Sequence, residues 1–362
     1  MAGSVDIGPW LDEYDRLLAQ RDLPEALETI EQALALDMDN VWAWTAKGDV
    51  LREMLRYDEA STAYDAALER DPEHLAAWTN KGVTLYRAGR YAEALVAYES
   101  ALALAPNDPE VWSNMGLALA MLGQLAGALE AHHRAAALEP EVAGHWQGIG
   151  DAQRRLGRRD EAMAAYDRAL ALDARDPITW HGKGNLLWDM GELEAALAAY
   201  EQALAIDPWT AGVWTNKGRT LARLRRSAEA LAAYDQALTV TPADASVWRY
   251  KGQVLEVLHR DAEALEAYEH ALVADPAASS AAWLKGDLLR RHGRLGETVD
   301  VWDGYLRQRP QDVATWTALA EVLCRLHRWD KALDASEMVV LLVPDETRAH
   351  TLKGTCLKHL RR

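Results

Sequence analysis

A tryptophan lattice with a period of 34 residues constrains this chain more than any other feature. The string WTNKG occurs at 78–82 and again at 214–218, four periods later. The lattice consists of Trp44, Trp78, Trp112, Trp146, Trp180, Trp214, Trp248 and Trp316. Glycine follows the first seven of them after four residues, at Gly48, Gly82, Gly116, Gly150, Gly184, Gly218 and Gly252. A repeat of this length indicates one small structural unit per period, which becomes stable by stacking on its neighbours.

Further residue types keep the same period. The alanines are Ala60, Ala94, Ala128, Ala162, Ala196, Ala230 and Ala264, and the tyrosines are Tyr64, Tyr98, Tyr166, Tyr200, Tyr234 and Tyr268. Most units end on a proline, namely Pro72, Pro106, Pro140, Pro208, Pro242, Pro276, Pro310 and Pro344. Within a unit, apolar residues are spaced by three, four and seven, which predicts two amphipathic helices joined by a turn. We expect Gly184 and Ala196 to let these helices approach closely, with the tryptophan and tyrosine filling the remaining space.

Trp, Gly, Ala, Tyr, Ala and Pro at this period resemble the tetratricopeptide repeat (TPR) family. The resemblance implies an all-α fold, an α-solenoid in which tandem helix-turn-helix repeats form a right-handed superhelix. It covers nearly the whole chain and predicts a single superhelix over 1–362. The predicted repeats are 7–40, 41–74, 75–108, 109–142, 143–176, 177–210, 211–244, 245–278, 279–312 and 313–346, followed by a capping helix at 347–362.

Charge and cysteine content narrow the function. The chain has 39 basic and 56 acidic side chains, and its net charge of −17 opposes nucleic-acid binding through the overall field. No apolar run approaches the ~20 residues of a membrane span. There are 2 cysteines and no signal-peptide pattern, so we expect a soluble, cytoplasmic protein with reduced thiols.

The string HGKGN at 181–185 raises the question of a phosphate-binding loop. Such a loop needs a strand before it and a helix after it, and here the string lies inside a predicted helix. The Gly-Lys pair also lacks the following Ser or Thr that would bind magnesium. We therefore expect no nucleotide site. Gly182 instead occupies a position where other units have asparagine, and it is expected to leave an open spot beside Trp188.

Two C-x-x-H strings, Cys324 to His327 and Cys356 to His359, could each present two ligands to zinc. Small buried cysteines beside polar helix ends explain them more simply. No Ser/His/Asp or Cys/His/Asn set suggests an assembled nucleophile. We predict no enzyme, no cofactor and no metal.

A lysine occupies the seventh position of most units, where the family usually has leucine. These residues are Lys47, Lys81, Lys183, Lys217, Lys251, Lys285 and Lys353. Five are preceded, ten residues earlier, by an aspartate: Asp37, Asp71, Asp173, Asp207 and Asp275. We predict that each of these aspartates pairs with its lysine across the junction between repeats. Thr241 before Lys251 and Val343 before Lys353 do not fit this pattern.

Arginines cluster at the turn between the two helices of a unit. They include Arg56, Arg90, Arg158, Arg226, Arg260, Arg294 and Arg328, whereas the opposite turns carry acids. One edge of the solenoid is thus expected to be basic, although cations at one helix end and glutamates at the next helix start are also ordinary capping. An RNA-binding solenoid that uses this edge is the less favoured alternative.

The resemblance implies that the first helix of each unit lines a concave groove that binds an extended peptide or a partner protein. By position in the unit, the groove residues are Trp42, Asn80, Tyr86, Asn114, Arg154, Arg155, Trp188, Asn216, Arg219, Arg223, Arg249, Tyr250, Trp283, Arg290 and Arg291. Trp283 is shifted by one place, with Ala282 at the lattice position. We expect a local rotation that buries Trp283, the alternative being an exposed anchor.

The predicted function is a non-catalytic protein-protein interaction scaffold. A self-assembling protein that stacks head to tail through its end repeats is the alternative.

Overall fold

The computed structural model describes residues 8–360, and these contain α-helices and no β-strand. The helices are α1 (Gly8–Gln20), α2 (Leu23–Leu36), α3 (Val41–Glu53), α4 (Tyr57–Arg70), α5 (Leu75–Arg87), α6 (Tyr91–Leu104), α7 (Pro109–Met121), α8 (Leu125–Leu138), α9 (Ala143–Arg155), α10 (Arg159–Leu172), α11 (Pro177–Met190), α12 (Leu193–Ile206), α13 (Ala211–Arg223), α14 (Ser227–Val240), α15 (Ala245–Val257), α16 (Asp261–Ala274), α17 (Ser279–Arg291), α18 (Leu295–Gln308), α19 (Val313–Arg325), α20 (Trp329–Leu342) and α21 (Thr347–His359). They confirm the all-α class and the pairing of two helices per repeat. Position 7, where the first repeat was predicted to start, and positions 361–362 of the capping helix lie outside the described residues.

The chain divides into two compact units, one ending at Leu186 and the other beginning at Leu187. In the first unit, consecutive helices from α1 to α10 pack on one another, and the first helices α3, α5, α7 and α9 also touch in sequence. In the second unit the same holds from α12 to α21, with α13 against α15 and α19 against α21. Each unit is therefore an α-solenoid in which the first helices of neighbouring repeats lie side by side. One continuous superhelix over 1–362 stays a prediction.

The turn between the helices of a repeat requires a left-handed residue. Glycine supplies it at Gly89 (φ 78°) and Gly157 (φ 76°). Other repeats use a residue with a side chain, for example Arg225 (φ 60°) and His259 (φ 56°). Because a Cβ atom is strained in this conformation, those repeats pay a local energetic penalty that the glycine repeats avoid.

The tyrosine of each second helix is buried against the glycine of its own first helix. A Cβ atom added at Gly48 would lie 2.5 Å from Cε1 of Tyr64, and one added at Gly218 would lie 2.5 Å from Cε1 of Tyr234. The glycine series therefore makes room for an aromatic ring, which refines the expectation that it brings two backbones together. His132 replaces the tyrosine in one repeat.

The lattice tryptophans are half-buried and hold the turn between repeats. The indole N–H of Trp78 donates to the backbone oxygen of Pro72 at 2.9 Å, and Trp248 makes the same bond to Pro242 at 2.9 Å. Each tryptophan thus satisfies a carbonyl at the end of the preceding repeat, a group that would otherwise lack a helical partner.

The predicted pairs between lysines and the aspartates ten residues earlier are wrong. Each lysine instead bonds an acid sixteen residues earlier, on the second helix of the preceding repeat. The pairs are Lys47 with Glu31, Lys81 with Asp65, Lys183 with Asp167, Lys217 with Glu201, Lys251 with Asp235, Lys285 with Glu269 and Lys353 with Glu337. The spacing of sixteen residues also accounts for Lys251 and Lys353, which the predicted spacing of ten residues could not explain.

The aspartates have a different role, which is the physical reason for the error. Oδ1 of Asp173 accepts the backbone N–H of Arg175 at 2.9 Å, and Oδ1 of Asp207 accepts that of Trp209 at 3.0 Å. A carboxylate that closes its own turn in this way points along the backbone and not towards the lysine. The Lys251 ammonium also lies 5.0 Å from the ring centroid of Trp248, so the lysine is held by both an acid and an aromatic face.

Candidate functional site

The predicted groove residues all lie on first helices, and the two units are taken in turn. In the first unit Trp42 is on α3, Asn80 and Tyr86 on α5, Asn114 on α7, and Arg154 and Arg155 on α9. In the second unit Trp188 is on α11, Asn216, Arg219 and Arg223 on α13, Arg249 and Tyr250 on α15, and Trp283, Arg290 and Arg291 on α17.

Asn80 bonds a half-buried carboxylate of the preceding repeat, Asp49. Its amide Nδ2 donates to Oδ1 of Asp49 at 2.9 Å, and the hydroxyl of Tyr64 donates to the same oxygen at 2.7 Å. Burial raises the pKa of Asp49, and these bonds oppose that rise. One amide hydrogen of Asn80 is therefore used inside the protein, and that hydrogen is not available to a peptide backbone.

A pocket of about 300 Å³ opens on the first helices of the first unit. Tyr86, Arg154 and Arg155 are predicted groove residues that line this pocket, and Asp151 lies beside them. The hydroxyl of Tyr166 donates to Oδ1 of Asp151 at 2.6 Å, and burial raises the pKa of this carboxyl. Nη1 of Arg155 is directed inward, because it donates to the backbone oxygen of Ala120 at 2.7 Å.

Gly182 lines the same pocket, but it has a packing role as well. A Cβ atom at this position would lie 2.8 Å from Cε1 of Tyr166. The absence of a side chain thus accommodates an aromatic ring of the preceding repeat. Trp188, beside which the open spot was predicted, does not line this pocket.

In the second unit, arginines stack on aromatic rings. The guanidinium carbons of Arg219 and Arg223 both lie 4.9 Å from the ring centroid of Trp188. Arg249 lies 4.1 Å from the ring of Tyr250, and Arg219 also approaches that ring, at 5.4 Å. We call Trp188, Arg219, Arg223, Arg249 and Tyr250 the arginine-aromatic cluster. Trp188, Arg219, Arg223 and Tyr250 of this cluster line a second pocket of about 300 Å³.

The arginines of this cluster differ in their acidic neighbours from the other predicted groove arginines of the unit. Within residues 187–360, no carboxylate oxygen lies within 4.0 Å of Arg219, Arg223 or Arg249. Arg290 and Arg291 differ, because both bond Asp287, at 2.6 and 3.1 Å, and Arg291 also bonds Glu256. The predicted groove arginines of this unit are thus of two kinds, three with uncompensated charge and two in ion pairs.

Trp283 is exposed, so the expected rotation that would bury it is wrong. Its side chain is 39% exposed, while Ala282 at the lattice position is 8% exposed. Trp302, which replaces the tyrosine of α18, is buried, and its indole N–H points to the backbone oxygen of Trp283 at 3.4 Å. Trp283 lines a third pocket of about 460 Å³ with Arg249 and Gln253. Gln253 also lines the pocket of the arginine-aromatic cluster, so the two pockets adjoin.

Sequence reasoning missed several residues at the site. Asp49 and Asp151 hold the tyrosine hydroxyls fifteen residues after them, a spacing that recurs in the sequence and could have indicated the pairing. Gln253 and Val257 line the pocket of the second unit. Nothing in their residue types suggested a site, because only their place beside Trp188 and Tyr250 makes them part of one.

The basic edge is largely paired with acids. Arg56, Arg90, Arg226, Arg260 and Arg294 each bond the glutamate three residues later, at 2.5 to 2.6 Å. These pairs form at the start of the second helices, where the glutamate also favours the helix dipole. The charge available to a nucleic acid at this edge is correspondingly small.

The remaining candidate features are a metal site, the two cysteine thiols and a membrane-spanning helix. Across residues 8–360, no group of three or more His, Cys, Asp or Glu side chains is arranged to hold a metal ion. Sγ of Cys324 lies 3.6 Å from Sγ of Cys356, and burial raises the pKa of the Cys324 thiol to about 12. His359 stacks on Trp329 with ring centroids 4.0 Å apart. In the same part of the chain, no helix is both long and apolar enough to cross a membrane.

Comparison with known families identifies the repeats. Tetratricopeptide repeat models match residues 45–109, 181–245, 215–279 and 252–313, and two further models of the repeat match 97–130 and 150–191. These matches cover more than half of the chain, and the chain belongs to the tetratricopeptide repeat family. The resemblance found in the sequence is confirmed. No curated protein matches the sequence.

Solved structures agree on the fold. A tetratricopeptide repeat protein from Parabacteroides merdae ATCC 43184 is 18% identical with a TM-score of 0.61, over 69% of this chain and 98% of that one. A chain of the APC/C hetero-tetramer Cut9-Hcn1 is 21% identical with a TM-score of 0.57, over 78% of this chain and 55% of that one. This chain thus matches little more than half of the Cut9-Hcn1 chain. At these identities the likeness establishes the fold alone. Family and fold are typical of non-enzymatic protein-protein interaction scaffolds.

Proposed function

We propose that this protein is a non-catalytic scaffold, cytoplasmic, whose first helices form a groove that binds an extended segment of a partner protein. The observation that carries the proposal is the row of adjoining pockets in the second unit, with Trp188, Tyr250 and Trp283 in their walls. Exposed aromatic and arginine side chains at pockets are the residues that dominate protein interfaces energetically. The two unlinked thiols of Cys324 and Cys356 suit a reducing compartment.

An RNA-binding role is less well supported. The edge arginines that suggested it are mostly in ion pairs, and the net charge of −17 repels a polyanion.

Site-specific photocrosslinking tests the proposal. A benzophenone amino acid is placed at Trp283 in the groove, or at Val273, which is 73% exposed on the second helix α16 of the preceding repeat. After irradiation in the native cell, we expect crosslinks to another protein from position 283 and few from position 273. Equal crosslinking from both positions, or none from 283, would contradict a groove interface. Crosslinks to a second copy of the chain would favour the self-assembly alternative.

A further inference from the structure

We propose that the arginine-aromatic cluster selects an acidic protein segment, one that carries aspartate or glutamate next to an apolar side chain. The inference rests on the proposed function and names the chemistry of the partner. It depends on how the arginines are held, on their missing counter-charges and on the shape of the pockets.

The arginines are held in a way that keeps their donors available. A guanidinium that stacks on a ring uses its face, while its five N–H groups lie in the plane and stay free to bind a carboxylate. The guanidinium carbons of Arg219 and Arg223 both lie over the ring of Trp188. Their internal bonds are few: Nη1 of Arg219 makes a long contact of 3.4 Å to Oδ1 of Asn216, and Nη1 of Arg249 donates to Gln253 at 3.2 Å. The fixed rings therefore pre-orient the donors before a ligand arrives.

The missing counter-charge favours an anion. Arg219 and Arg223 are four residues apart on α13, where like charges repel. Six other arginines of the second unit have a carboxylate partner, for example Arg226 with Glu229 and Arg260 with Glu263. In a chain with a net charge of −17, three uncompensated cations together form a local positive site. A bound carboxylate would relieve the repulsion within α13 and gain charge-assisted hydrogen bonds.

The pockets favour a peptide over a nucleic acid. Tyr234, Val254 and Val257 give the pocket of the arginine-aromatic cluster an apolar floor, with room for one aliphatic or aromatic side chain. The adjoining pocket around Trp283 contains Asp312, whose carboxylate would repel a second anion. A nucleic acid carries a phosphate at every step, whereas a peptide can place its acids beside the arginines and an apolar side chain beside Trp283. The alternation of charge thus fits an acidic peptide.

Peptide selection is the first test. A phage-displayed library of random 12-residue peptides is selected on the full chain at low salt. We expect the selected sequences to be enriched in aspartate and glutamate next to leucine, isoleucine or an aromatic residue. Binding of a selected peptide, labelled with fluorescein, is then measured by fluorescence anisotropy.

Two double variants with the same charge change give the decisive comparison. Arg219→Gln with Arg223→Gln removes the stacked arginines, and we expect about tenfold or greater loss of affinity for the selected peptide. Arg226→Gln with Arg260→Gln removes two arginines that are already paired with glutamates at the turns, and we expect little change. Circular dichroism of each variant verifies the helical fold, and raising the salt concentration should weaken the wild-type complex.

The outcomes separate this inference from the proposed function. Selected peptides without acidic enrichment, whose binding is lost in Trp188→Ala but kept in the Arg219→Gln/Arg223→Gln variant, would overturn the acidic partner and leave the groove function standing. If the selected peptides bind all of these groove variants as tightly as the wild type, or if no peptide is selected, the acidic partner and the groove function are both contradicted. Tighter binding of a labelled 12-nucleotide oligouridine that is lost in the Arg219→Gln/Arg223→Gln variant would replace the peptide with single-stranded RNA.

Discussion

Replacing Gly252 with alanine should destabilise its repeat, whereas the same replacement at Gly354 should stabilise the capping helix. Both glycines occupy the eighth position of a first helix. A Cβ atom at Gly252 would lie 2.5 Å from Cε1 of the buried Tyr268, about 1 Å closer than carbon atoms prefer. At Gly354 no such atom lies within 4 Å, because α21 is not followed by a second helix within the described residues.

The magnitudes follow from two opposing effects. Alanine in place of glycine inside a helix contributes about 1 kcal/mol of stability. Overpacking a dense core costs ~1–3 kcal/mol, and Tyr268 has little room to move because it is fully buried and its hydroxyl bonds Glu256. We therefore expect a net loss of up to ~2 kcal/mol for Gly252→Ala and a gain of ~0.5–1 kcal/mol for Gly354→Ala.

Hydrogen exchange measured by mass spectrometry is the suitable assay, because repeat arrays do not always unfold in one transition. Amides of α15 and α16 should exchange faster in Gly252→Ala, and amides of α21 should exchange more slowly in Gly354→Ala. The same sign of change in both variants would refute the reasoning, since it would mean that helix propensity and not the tyrosine ring decides the effect.

Three further predictions test other parts of the structure. A double-mutant cycle of Lys251→Met and Asp235→Asn should give a coupling of about 0.3–1 kcal/mol by urea unfolding, and zero coupling would contradict the pairing sixteen residues apart. His259→Gly should raise the unfolding free energy by about 1 kcal/mol, because residue 259 has a φ of 56°, and an unchanged urea midpoint would argue against strain there. Burial lowers the pKa of His132 to about 4, so the folded state disfavours the proton that the unfolded chain binds below pH 6.5. Stability should be fully present above pH 6.5 and fall by up to about 1.4 kcal/mol per unit as the pH drops from there towards 4, and His132→Tyr should flatten this loss in urea titrations at pH 7.5 and 5.

The sequence was sufficient to predict the helices, because each position of the repeat is seen about ten times in one chain. Helix ends, the turn glycines and the aromatic series all follow from that internal alignment. The lysine partners did not follow from the alignment, because the aspartate ten residues before a lysine and the acid sixteen residues before it usually occur together. Lys251 was the informative exception: Thr241 precedes it where the aspartate would be, while Asp235 is present.

The groove residues were predicted from their positions in the repeat, whereas the contacts of their side chains were not predicted. Arg223 and Arg291 occupy the same position of their repeats, yet Arg223 lies over Trp188 and Arg291 bonds Glu256 on α15. The difference depends on side-chain neighbours from other helices, which a repeat pattern does not specify. The exposure of Trp283 was likewise not specified by its place in the repeat.

The tyrosine ring and the glycine that receives it belong to the same repeat, whereas the lysine and its acid belong to consecutive repeats. A 34-residue unit that is duplicated or deleted as a whole therefore brings its own internal fit with it, wherever in the array it is inserted. The junction is the part that must be matched, since a unit that begins with a lysine needs an acid in the unit before it. Gene duplication can thus lengthen or shorten such an array while each unit keeps its own fit of tyrosine and glycine, and the acid and lysine are one match that a new junction needs beside its apolar contacts.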